Sequence, residues 1–175
     1  MSKTIKFKLN TRSINAAIKE VEAYRKRLKT ISENICRNLS EVGMKEASVR
    51  FDSAHYDGTN DSSVTIEPTK NGYRVVASGN AIAFIEFGTG VHYNAGSSYP
   101  LPKPSGIVGI GEYGKKQGKK DKWQYKGDPG TAGVVSQDGR VVTTHGNPAQ
   151  MPMYHATMAM QNEVERIVKE AFRNA

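Results

Sequence analysis

One segment of this chain interleaves lysines with aromatic rings: Gly114 to Gly127, GKKQGKKDKWQYKG. Lys115, Lys116, Lys119, Lys120, Lys122 and Lys126 surround Trp123 and Tyr125, with Asp121 as the opposing charge. Ammonium groups placed this way can follow a phosphate backbone while the rings stack on bases. The same residues equally suit docking onto an acidic protein surface, with Trp123 as the buried anchor. They also suit a solvated loop that Trp123 ties to the body. All three readings stay open on sequence alone, and these residues are the candidates for contact with a partner or with DNA.

A second constellation lies in AIAFIEFGTGVH, Ala81 to His92. A carboxylate among large side chains needs a partner, because glutamate is seldom buried alone. Gly88 and Gly90 permit a sharp, positive-φ exit that other residues make only with strain. The pattern predicts that Glu86 accepts hydrogen bonds from nearby backbone N–H groups or a basic residue and fixes a corner. Glu86, Phe87, Gly88, Thr89 and Gly90 therefore read as a structural motif with no catalytic signature.

Other chemistry is absent by spacing. Gly109-Ile-Gly-Glu-Tyr-Gly114 matches GxGxxG, but it follows a proline-rich stretch and runs into Lys115 and Lys116. A dinucleotide site needs that pattern between a buried strand and a helix. His55, His92, His145, His155 and Cys36 lack the short paired spacings of zinc sites, so no metal or cofactor is expected. Cys36 has no predictable histidine partner and reads as a buried thiol. No Gly-x-Ser-x-Gly elbow appears, and no carboxylate pair suits acid–base work, so an enzyme is not expected.

The elements that must position these residues follow from periodicity. Ile5, Phe7 and Leu9 alternate with Lys6 and Lys8 and predict a short strand. Ile14, Ile18, Val21, Leu28, Ile31, Ile35, Leu39 and Val42 recur at steps of three, four or seven. They predict one amphipathic helix from about Ser13 to Arg50, lying on a sheet, with Gly43 as a point of bending or interruption. Alternating runs on either side of Asn71-Gly72 predict a hairpin spanning Val64 to Ser78, and Val134-Val135 with Val141-Val142 around Asp138-Gly139 predict a second. Residues 90–133 carry many glycines and prolines without either period and read as an inserted, glycine-rich basic loop. Pro152 opens a C-terminal helix whose apolar face runs from Met153 to Ala171 and which ends near Arg173. The expected fold is α+β: two helices packed on a small antiparallel sheet of hairpins, in a single domain over residues 1–175.

The bulk properties bound the partners. At 175 residues and 37% hydrophobic, the chain is long enough for one modest core. A single cysteine excludes an internal disulfide and fits a reducing compartment. No run reaches the roughly 20 apolar residues of a membrane span, and the first ten residues lack the apolar centre of a signal peptide. The formal charge of +8 favours encounters with polyanions or acidic surfaces without selecting either.

The segment Ala83-Phe-Ile-Glu-Phe-Gly-Thr-Gly90 resembles the "EFGTG" core of minor tail and tail-completion (neck) components of long-tailed, lambda-like bacteriophages. The order of elements is similar as well: long helix, hairpin, EFGTG, variable loop, then a Pro- and Ala-containing stretch, Gly146 to Met153, leading into the last helix. The family usually carries an aromatic after the last proline, where this chain has Met153 and then Tyr154. The resemblance implies a non-enzymatic virion protein of the neck or tail, made in the host bacterial cytoplasm. It implies self-assembly into a ring and contacts with other neck, connector or tail-tube proteins, without a membrane. The basic insertion is longer than the family pattern, so its possible contact with genomic DNA is not implied by the likeness.

Overall fold

The computed structural model describes residues 5–54, 56, 60–89, 99–100, 123–126, 134–137, 139, 141–144 and 148–174. It is an α+β arrangement of helices and small antiparallel sheets. Helix α1 spans Thr11–Asp52. It starts where the Asn10 side chain accepts the Ser13 N–H at 2.9 Å, satisfying one of the donors a helix N-terminus leaves open. Residues 5–8 form no strand, contrary to their alternation, because among the described residues no strand pairs with them. Their backbone serves the helix start instead: Lys8 N–H donates to Ser13 Oγ, and Asn10 N–H to the Lys8 carbonyl.

Gly43 does not interrupt α1, which continues through it. Its role is close packing. A Cβ built there would lie 2.7 Å from Met160 Sδ on α3, the C-terminal helix Pro152–Arg173. The two helices run antiparallel, with Ala47 and Phe51 of α1 beside Ala156 near the start of α3, and Arg27 to Asn34 beside its last turn. Phe51 is fully buried, which alone contributes about 2–3 kcal/mol of apolar transfer. The C-terminal helix thus packs along α1 and touches the short helix α2 (Ile82–Phe87), while α1 also covers the first hairpin.

That hairpin pairs β1 (Ser63–Thr69) with β2 (Gly72–Ser78), in register from Ser63↔Ser78 to Thr69↔Gly72. Its tip is Lys70-Asn71, one residue before the expected Asn-Gly pair. Neither tip residue has the positive φ that a type I′ turn requires at both positions and a type II′ turn at the first; Gly72 takes it instead, at φ 150°. The second hairpin joins β4 (Val134–Val135) to β5 (Val142–Thr144). A further strand, β3 (Trp123–Tyr125), pairs with β5 on its other side, giving the order β3-β5-β4. The stretch 90–133 is therefore not wholly without elements.

Between α1 and α2 the chain is pinned by two side chains from a turn-rich stretch. Asn60 Nδ2 donates to the Phe51 carbonyl at 2.7 Å, serving the C-terminal end of α1. Asp61 accepts the Asn80 N–H at 2.8 Å and the Ala81 N–H at 3.0 Å, holding the start of α2. The Asn80 and Ala81 hydrogen bonds hold the Asp61 carboxyl below the usual carboxylate range. A depressed folded-state pKa makes its stabilisation fully present above the ordinary value, about pH 4, and lost as pH falls through the lowered one. Melting curves should accordingly show Asp61→Asn less stable than wild type at pH 7, with the gap closing in acid. A pH-independent gap would contradict this.

Candidate functional site

The EFGTG corner is built around α2. Ala81 and Ile85 lie in the main core with Ala47, Phe51 and Ala156, which turns the next residues, Glu86 and Phe87, toward the start of α3. Gly88 ends α2 at φ 75°, ψ 178°, a region open essentially to glycine alone. Phe87 and Tyr99 meet edge-on with ring centroids 4.9 Å apart, and Met151 and Tyr154 pack against them.

Glu86 is only 3% exposed, yet each of its oxygens is engaged. Oε2 accepts the Met153 N–H at 2.8 Å, and Oε1 accepts the Tyr154 N–H at 3.2 Å and the Tyr99 hydroxyl. Met153 and Tyr154 are the second and third residues of α3. Their N–H groups are among those that a helix start leaves without an intrahelical partner. The first residue, Pro152, has no N–H to satisfy. No side chain of the preceding residue, Met151, caps the helix. A glutamate 67 residues upstream does so instead. The negative carboxylate also sits at the positive end of the helix dipole.

Two further features complete the cap. Met151 adopts the left-handed conformation (φ 52°, ψ 48°), at a cost of about 1–2 kcal/mol for a residue with a side chain, and so directs the chain into α3. Gln150 N–H donates to the Ile85 carbonyl at 2.9 Å, tying that approach to α2. Burial, and then the hydrogen bond to Glu86, raise the Tyr99 phenol well above its ordinary pKa. It stays protonated and donates. Replacing Tyr99 by Phe keeps the ring and removes only that donor, so urea unfolding should show a loss of about 1–2 kcal/mol. An unchanged midpoint would mean that the hydroxyl contributes nothing to the cap.

The structure thus brings Glu86, Phe87, Gly88 and Thr89 together as buried residues. Gly90 lies outside the described residues. So do Lys115, Lys116, Lys119, Lys120 and Lys122, together with the Gly109–Gly114 match, His55, His92 and His145. Trp123 and Tyr125 are placed by their backbone in β3, and Lys126, just after it, is exposed. His155 stacks edge-on with Tyr154 on α3, and Cys36 lies half-buried under Gly72 of the first hairpin. Sequence reasoning missed Tyr99. Its only signal was an aromatic beside Pro100 in a polar, glycine-rich stretch.

What this arrangement does chemically is hold shape. Both oxygens of the buried carboxylate serve as acceptors for fixed donors, and among the described residues no group of three or more His, Cys, Asp or Glu side chains is placed to hold a metal. No helix of the described residues is long and apolar enough to cross a membrane. Compared with protein families, curated proteins and solved structures, the chain matches no family model, no curated protein and no solved structure.

Proposed function

We propose that this chain is a structural protein of the neck or tail of a long-tailed bacteriophage, acting without catalysis by ring assembly and contacts with connector or tail-tube proteins. The observation that carries the reading is the use of Glu86. The EFGTG motif spends its one carboxylate on the N-terminus of α3, joining distant parts of the chain into a fixed corner. A scaffold needs such a corner; a hydrolase would need that carboxylate free. The order of elements supports the same reading, with a long helix, a hairpin, the motif, an insertion and a last helix. Rings of identical subunits use head-to-tail contacts that close by rotation, and the outer edges of the two-stranded sheet, unpaired among the described residues, suit such contacts.

Electron microscopy of purified virions labelled on this chain tests the proposal. Label at the head–tail junction or along the tail is expected, and label confined to soluble lysate would overturn it. A small basic nucleic-acid-binding module is the second reading, favoured by the exposed Lys126 at the end of β3. It requires salt-sensitive DNA binding that disappears when Lys115, Lys116, Lys119 and Lys120 are changed to Glu.

A further inference from the structure

Residues 5–9 carry the alternation of a strand, Ile5, Phe7 and Leu9 against Lys6 and Lys8, yet among the described residues no strand lies beside them. Phe7 is 58% and Leu9 93% exposed. The first hairpin of their own chain is out of reach. Its tip lies at Cys36, against which Gly72 packs, and Val64 and Ala77 at its other end pack with Ala47 and Phe51. From Thr11 to Cys36 helix α1 advances about 38 Å, at 1.5 Å per residue. Five extended residues span only about 17 Å. A strand formed by residues 5–9 can therefore meet this hairpin only in another copy of the chain.

The β1 edge of the hairpin suits such a strand. Pro68 has no N–H to give β2, so its pairing with Tyr73 is of the non-hydrogen-bonded kind, and the same holds at every second residue. Val64 and Ile66 consequently turn their N–H and C=O groups to the outer edge. Val64 and its partner Ala77 pack against the main core, so Val64 and Ile66 share that face, and Thr65 and Glu67 stand on the opposite one. An antiparallel strand with Phe7 opposite Ile66 and Leu9 opposite Val64 sets apolar side chains together. The same register puts Lys6 opposite Glu67 and Lys8 opposite Thr65. Arg74 engages Oε2 of the Glu67 carboxylate, and the Glu67 side chain stays 42% exposed. The β2 edge offers the reverse, because Arg74 stands there and repels a lysine set opposite it.

We propose that residues 5–9 of one copy add to the β1 edge of the next as an antiparallel strand, with Lys6 against Glu67. Backbone hydrogen bonds at Phe7–Ile66 and Leu9–Val64 supply the hold, and the alternate side chains supply the register. Pro68, opposite Ile5, has no N–H for the added strand and ends the pairing there. The giving and receiving surfaces are different parts of the chain. The contact is therefore head-to-tail, each copy giving one strand and taking one, as a ring requires. Its role in assembly rests on the ring reading, but the two fail separately. Strand addition between purified chains needs no virion, and label on virions needs no strand addition.

Disulfide trapping of the full chain, with Cys36→Ser to remove the native thiol, tests it. Lys8 and Thr65 would face each other at a non-hydrogen-bonded position, about 4.5 Å between Cα atoms and within disulfide range. A chain with Lys8→Cys mixed with a chain with Thr65→Cys should give, on mild oxidation, a mixed dimer of twice 19.2 kDa. A chain carrying both substitutions should give a ladder of trimers and larger species, which reciprocal exchange between two copies would not. Lys8→Cys mixed with Ser63→Cys, a diagonal pair roughly 7–8 Å apart, should yield about fivefold less. Phe7→Lys, at an exposed site, should keep the helical circular dichroism and lower the Lys8–Thr65 yield by about fivefold or more. Equal yields from the two cysteine pairs, a yield indifferent to Phe7→Lys, or a doubly substituted chain that stops at dimers would overturn the proposal.

Discussion

Replacing Glu86 with alanine should lower the unfolding free energy by about 3–5 kcal/mol, the largest loss expected from any polar substitution in this chain. The substitution leaves the Met153 and Tyr154 N–H groups and the Tyr99 hydroxyl without their acceptor. Because Glu86 is buried, water does not readily replace it. Each orphaned donor costs about 1–3 kcal/mol, and loss of a helix cap alone typically costs about 1 kcal/mol. Glu86→Gln separates shape from charge. It fills the same space but offers one acceptor oxygen and turns an N–H₂ toward a donor, so it should cost roughly half as much. Urea unfolding of both variants measures the difference. An alanine variant within about 0.5 kcal/mol of wild type, the range of ordinary surface changes, would show that the cap contributes little.

Gly79→Ala should be nearly as damaging, for a steric reason. Gly79 has φ 141°, and a Cβ there would lie 2.6 Å from the Asp61 carbonyl oxygen and 3.0 Å from its carbonyl carbon. Those are backbone atoms and cannot swing aside. Any relief moves Asp61, whose side chain holds the Asn80 and Ala81 N–H groups at the start of α2. A loss of about 2–4 kcal/mol is expected, combining backbone strain with a disturbed α2 start. Gly139→Ala is the internal control. Gly139 has φ 70° and nothing within 4 Å of a built Cβ, so only the left-handed strain of about 1–2 kcal/mol applies. Thermal melts that rank Gly139→Ala as the more harmful of the two would contradict this account.

The parts of the fold visible in the sequence are those with a repeating pattern. Pro152 and the apolar face after it mark α3 with its observed ends, and two alternating runs mark β1 and β2. The hairpin tip was misplaced by one residue because Gly72 is used for its φ at the first strand position and not inside the loop. In α1 the length was legible, and so was half of the buried stripe: Ile31 is buried and Leu28, Ile35, Leu39 and Val42 are half-buried. Large aliphatics such as Ile14, Ile18 and Val21 draw attention, yet they are exposed, whereas the helix crossing is made at Ser40, Gly43 and Ala47. Close approach selects small residues, and a hydrophobicity pattern passes over them. Strand β3 escaped notice because three residues carry no period, and its partner β5 follows at a distance in the chain.

The candidate site was half legible for a similar reason. A glutamate between large apolar residues announces that it must be paired, and the glycine after it announces a special backbone angle. Neither says with what. The partners are backbone N–H groups 67 and 68 residues later, which have no side-chain signature at all. Met153 and Tyr154 could be any pair of residues that follow a helix-starting proline. The third partner, Tyr99, is one aromatic among several in a stretch without periodicity.

Amide exchange of Met153 and Tyr154, followed by NMR in wild type and in Glu86→Gln, tests the central claim most directly. Amides in the first turn of a helix ordinarily exchange fast because nothing within the helix accepts them. With the Glu86 carboxylate in place, both should be protected to the level of interior α3 amides, and Glu86→Gln should speed their exchange about tenfold or more while the middle of α3 changes less. Fast exchange of both amides in the wild-type protein would contradict the account.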